Sequence, residues 1–132
     1  MAGSRGERGS MAVETVMLAP VFLLFVMFLA AAGVLVEAQG EVNGAARDAA
    51  RAASVQRTFD GATAAAEESV RVALTGECRA PAVSLDGSRW EQGGQVRAEV
   101  TCELDLAVLG LGGSRRMTGT AVVPIEQLRR VE

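Results

Sequence analysis

Gly9-Ser10-Met11-Ala12-Val13-Glu14 opens the stretch that decides the fold, and the uncharged run from Thr15 to Val36 completes it. That run is about 22 residues long. As a helix rising about 1.5 Å per residue it spans roughly 33 Å, enough to cross a hydrocarbon core of about 30 Å. The chain beyond Val36 must then live on the far side of the membrane. Glu14 is the one charged residue at the mouth of the span. An unpaired carboxylate costs about 2.5–3.5 kcal/mol at the centre of a membrane helix and less at its edge. The plainer reading is that Gly9 and Ser10 start the helix and that Glu14 favours its N-terminal dipole. No capping box supports that reading, because Val13 stands three residues after Ser10.

Upstream, residues 1–9 form a short basic leader carrying Arg5 and Arg8 against Glu7. With Glu37 and Glu41 just beyond the span, the positive-inside bias places the N-terminus in the cytoplasm. A secretory signal peptide is the competing reading, since Ala30-Ala31-Ala32 offers an A-x-A-like site. The apolar stretch before that site exceeds the usual h-region of about 7–15 residues, and it continues through Gly33-Val34-Leu35-Val36. Pro20 lies in the first third of the span, where a membrane helix tolerates it. It is either a harmless kink or a weak point at which the helix bends when drawn from the bilayer.

Downstream, Glu37 to about Arg57 is rich in Ala and Arg, both strong helix formers. Val42, Ala45, Ala46, Ala49, Ala52 and Ala53 make a narrow stripe of small residues at helical spacing. Phe59-Asp60-Gly61 marks a break, with Asp60 as cap of a second helix over about residues 62–74. Glu67 and Arg71 form an i,i+4 pair there, and the adjacent Glu67 and Glu68 read as solvated surface rather than a catalytic dyad. The period then changes. Val96, Ala98, Val100, Cys102, Leu104, Leu106 and Val108 alternate with polar residues, predicting a long strand with one buried face. Residues 82–85 and 117–125 read as further strands, with turn signals at Asp86-Gly87 and Gly93-Gly94. The fold class expected is α+β: a transmembrane helix over 10–36, a helical region over 37–75, and a small antiparallel sheet of three or four strands over 76–132. Trp90 either anchors the helix packing or lies on an edge.

Composition narrows the function. The net charge of −3 gives no reason to expect a nucleic-acid partner. All thirteen basic residues are arginine and there is no histidine, so the commonest general base and metal ligand are absent. No nucleophile elbow, phosphate loop or metal set appears, and Gly110-Leu111-Gly112-Gly113 lies between strands rather than before a helix. We therefore expect neither an enzyme, nor a cofactor, nor a small-molecule substrate. Cys78 and Cys102 would form a disulfide if this part is exported to an oxidising compartment, and would otherwise be two buried thiols.

Three features taken together resemble a known family. They are Arg8-Gly9-Ser10-Met11-Ala12-Val13-Glu14, then Leu18-Ala19-Pro20-Val21, then the Ala-Arg helix Ala45–Ala53. The first resembles the class III leader of type IV pilins, and the set is similar to the TadE-like minor pseudopilins of tight-adherence (Flp-type) pilus systems. The resemblance covers roughly residues 8–55. It implies a pilin-like fold, a bacterial membrane location, and cleavage by a prepilin peptidase between Gly9 and Ser10. It also implies that Glu14 is the carboxylate used in assembly, in one reading by neutralising the new amino terminus of a neighbour. The partners implied are the lipid bilayer, the prepilin peptidase, other pilins or pseudopilins, and the assembly platform proteins. Thr15 stands where several pilins carry an aromatic, and the chain is longer than the major pilins, which points to an accessory component. The alternative is an unprocessed single-pass membrane protein with a small extracytoplasmic binding domain.

Overall fold

The computed structural model describes the backbone of residues 3–76 and 78–126, and the side chains of residues 9–76, 78–107 and 110–126. Part of the leader, Glu77, the Val108 side chain and the last six residues of the expected sheet region lie outside the described residues. In chain order the elements are helix α1 (Gly3–Ser54), helix α2 (Phe59–Ala73), and strands β1 (Cys78–Ser84), β2 (Gln95–Asp105) and β3 (Ser114–Pro124). A 3-10 turn, Leu106–Leu109, connects β2 to β3. The fold is α+β, with a long apolar N-terminal helix, a second helix and a three-stranded antiparallel sheet ordered β1-β2-β3. Two compact units divide the chain, Met1–Leu35 and Val36–Glu132, and α1 contributes residues to both.

In the first unit α1 is already helical at Gly3, so Gly9 and Ser10 lie inside it rather than at its start, and Pro20 is also within it. This helix is long and apolar enough to cross a membrane. Every residue from Gly9 to Ala30 is exposed.

In the second unit α1 turns a stripe of small residues inward: Val42, Ala45, Ala46, Ala49, Ala50 and Ala53 are all buried. Ala50 thus takes a core position, while Ala52, expected in the stripe, is only half-buried. The sheet contributes Val96, Ala98, Val100, Cys102 and Leu104 from β2 and Met117 from β3. Small side chains permit close approach, and the closest point is Gly119. A Cβ there would lie 2.8 Å from both the Val42 carbonyl oxygen and Asn43 Oδ1. Cys78 and Cys102 are joined by a disulfide with a Cα–Cα distance of 5.4 Å. The bond crosses an irregular point, because Ala80 and Pro81 interrupt the register between the Arg79–Glu103 and Ala82–Thr101 pairs.

Several expectations are corrected in the second unit. The break after α1 falls at Val55–Thr58, and Phe59-Asp60-Gly61 forms the first turn of α2. The cap is Thr58, whose Oγ1 accepts from the Gly61 N–H at 3.0 Å, and Asp60 sits inside the first turn. Arg71 pairs with Glu68, one turn back at i,i+3, rather than with Glu67. Strand β2 stops at Asp105 instead of continuing through Val108. There the Asp105 carboxylate accepts from the Ala107 N–H at 2.9 Å, and Gly110 adopts a φ of 76° to close the turn. Cys78 is the first residue of β1 rather than preceding it. Trp90 packs edge-on against Phe59, ring centroids 5.8 Å apart, tying the β1–β2 connection to the start of α2.

Candidate processing and assembly segment

Between Met11 and Val36 the polar side chains are Glu14 and Thr15 alone. Thr15 is satisfied within its own helix, its Oγ1 donating to the Met11 carbonyl at 2.8 Å. Glu14 is not matched in that way. Its neighbours one turn away are Ser10, Met11, Met17 and Leu18, none of them cationic. Among the described residues the ion pairs are Arg71–Glu68 and Arg79–Asp105, and neither reaches it. Glu14 also lies eleven residues after the first residue of α1, roughly 16 Å along the axis. The dipole attraction fades within the first turn. In the uncut chain, therefore, a helix terminus does not explain the carboxylate.

Gly9 has no structural duty that the fold reveals. A Cβ at this position would meet nothing within 4 Å. Glycine inside a helix is less favourable than alanine by about 1 kcal/mol. The fold thus tolerates a residue that helix stability disfavours, directly before Ser10 and five positions before Glu14. Residues Gly9, Ser10 and Glu14 are brought onto one exposed stretch of α1, whereas Cys78 and Cys102 belong to the sheet and act there. No group of three or more His, Cys, Asp or Glu side chains among the described residues is arranged to hold a metal ion.

An exposed apolar helix carrying one acid within its uncharged run, followed by a small disulfide-linked α+β unit, is an architecture compatible with a membrane anchor. Residues 9–51 match the family model for TadE-like protein. The match begins at Gly9, takes in Glu14 and Pro20, and ends at Arg51, so it falls wholly within α1. No curated protein and no solved structure matches the chain.

Proposed function

We propose that the chain is a minor pseudopilin of a tight-adherence pilus system, anchored in a bacterial membrane with its N-terminus cytoplasmic. A prepilin peptidase removes the leader after Gly9, and the remaining protein helps to assemble or prime the filament. The observation that carries this reading is Glu14: the one carboxylate between Met11 and Val36, exposed, without an ion-pair partner among the described residues, four residues beyond Ser10. The family match over residues 9–51 supports the system to which it is assigned.

The chemistry comes from the cut. Cleavage gives Ser10 a free ammonium group and makes it the new start of the helix. Glu14 then lies about 6 Å along the axis from that terminus. When such helices stack, the carboxylate of one subunit can neutralise the ammonium of the next. In a low-dielectric setting an ion pair is far stronger than in water, while either charge alone is costly. The pairing therefore holds neighbouring subunits at a fixed axial stagger.

The test is the N-terminus of the mature protein. We expect it at Ser10 in cells with an active prepilin peptidase, and we expect Gly9→Val to leave the leader attached. An intact leader in the wild-type chain overturns the proposal. Glu14→Ala separates cutting from assembly: cleavage and membrane insertion should persist while piliation is lost. Normal piliation in that variant would refute the pairing role.

A further inference from the structure

The two edges of the sheet are built differently. Edge strand β1 is blunted: Ala80 has a φ of 49°, Pro81 offers no N–H, and the register shifts between Arg79 and Ala82. Bulges and prolines are the ordinary means of preventing a sheet edge from recruiting another strand. The outer edge of β3 has no such protection until its last residue, pairing with β2 from Ser114 to Pro124 without a shift. Among the described residues no strand covers its outer side.

The direction of its backbone groups can be assigned. The Ile125 N–H donates to the Gly94 carbonyl at 2.9 Å, so residue 125 faces the β2 side. Alternation along an antiparallel ladder then turns the even-numbered residues of β3 outward. Gln39 agrees with this: its Nε2 donates to the Thr118 carbonyl at 2.8 Å. One outward carbonyl is therefore already satisfied from within the chain, and one outward residue, Pro124, has no N–H to give.

The geometry points to antiparallel pairing of the β3 edge with β3 of a second copy of this chain, about a two-fold axis near Ala121. In this register Thr120 faces the partner's Val122, and the two residues exchange both backbone hydrogen bonds. Thr118 faces the partner's Pro124, so the carbonyl that Gln39 occupies meets the one residue that cannot donate to it. Arg116 faces the partner's Glu126, an exposed acid just beyond the strand. Because a two-fold interface is isologous, each of these contacts occurs twice. Arg116 already lies across from Glu103 on β2, and pairing would set it between two carboxylates. The result is a six-stranded sheet. Such pairing does not depend on cleavage at Gly9, since β3 is the same in the cut and uncut chains.

Absence of lysine from the chain supplies a clean probe. Arg116→Lys places the only side-chain amine at the contact, and a zero-length carbodiimide joins it only to a carboxylate in direct reach. In membranes holding the full-length variant we expect a covalent dimer, with peptide mapping that links position 116 of one copy to Glu126 of the other. Adding Glu126→Gln should abolish that dimer, and Arg97→Lys, at an exposed position of the central strand β2, should give none. Thr120→Pro removes an outward N–H without touching the β2 ladder. It should also abolish the dimer made by Arg116→Lys while the Cys78–Cys102 bond stays intact, which separates loss of pairing from loss of fold. A chain that remains monomeric, or a link from position 116 to Glu103 alone or to a different protein, overturns self-pairing.

Discussion

The first unit of this molecule turns its apolar residues out, and the second turns them in. Of the four phenylalanines, Phe22, Phe25 and Phe28 lie in the exposed part of α1, and the fourth, Phe59, is itself 41% exposed beside Trp90. The buried part of α1, by contrast, uses Val42 and six alanines. The difference shows which surroundings select side-chain size. A helix whose neighbours are lipid or other subunits accepts bulk at any position. A helix lying against its own sheet accepts only what the closest backbone approach allows, here the Gly119–Val42 contact. The first unit leaves its apolar side chains exposed from Gly9 to Ala30. The second completes itself with small side chains and one covalent link.

Removing that link is the largest single way to break the contrast. The disulfide closes a sequence separation of 24 residues. On the chain-entropy model, closing a loop of about 25 residues stabilises by roughly 3.5 kcal/mol. Cys78→Ala with Cys102→Ala should lower the stability of the second unit by about that amount. Chemical unfolding of the full-length chain in detergent can follow this by Trp90 emission, since Trp90 is the sole tryptophan and packs against Phe59. Membrane insertion of the first unit should not change. An unfolding midpoint equal to that of the wild type would mean that the alanine-rich core suffices alone.

Gly119→Ala comes next. The added Cβ would fall 2.8 Å from a backbone carbonyl and 2.8 Å from Asn43 Oδ1, so α1 must move off the sheet or the strand must bend. Overpacking of this kind costs about 1–3 kcal/mol. The same unfolding measurement reads it, and a loss under about 0.5 kcal/mol, the usual size of a surface change, would show that the helix–sheet contact yields freely.

These effects differ in how far the residues alone foretell them. The apolar helix over Thr15–Val36 is legible because length and lack of charge suffice, and neither depends on a tertiary partner. The alternation of β2 is legible for the same reason up to Leu104. It misleads at Leu106, because the apolar pattern continues while the Asp105 carboxylate and Gly110 fold the chain into a 3-10 turn. The start of α2 offers Thr58 and Asp60, both good capping residues two positions apart, and only the observed bond to Gly61 chooses between them. Arg71 is within reach of both Glu67 and Glu68 by spacing, and the pair formed depends on rotamers that composition does not encode. The close approach at Gly119 leaves no local signal at all, since nothing near it in the chain marks the position opposite Val42. The acid and glycine of the first unit stand out in the sequence for the reverse reason. They break the pattern around them.

Gly9 sharpens the comparison because its expected effect on folding is the smallest. Both Gly9 and Gly119 lie in regular structure, yet a Cβ at Gly9 meets empty space within 4 Å whereas one at Gly119 meets backbone. Gly9→Ala should therefore leave the second unit's unfolding midpoint unchanged, and it favours the helix locally by up to about 1 kcal/mol. If the glycine is there for the peptidase, the larger Gly9→Val should retain the leader with the same unchanged midpoint. One variant then reads two independent quantities, the mature N-terminus by mass and the fold by Trp90 emission. Loss of cleavage with intact folding places the requirement for glycine in the enzyme that cuts the chain. Loss of both would place it in the chain itself, and the steric freedom seen at Gly9 excludes that outcome unless α1 packs there against another subunit before it is cut.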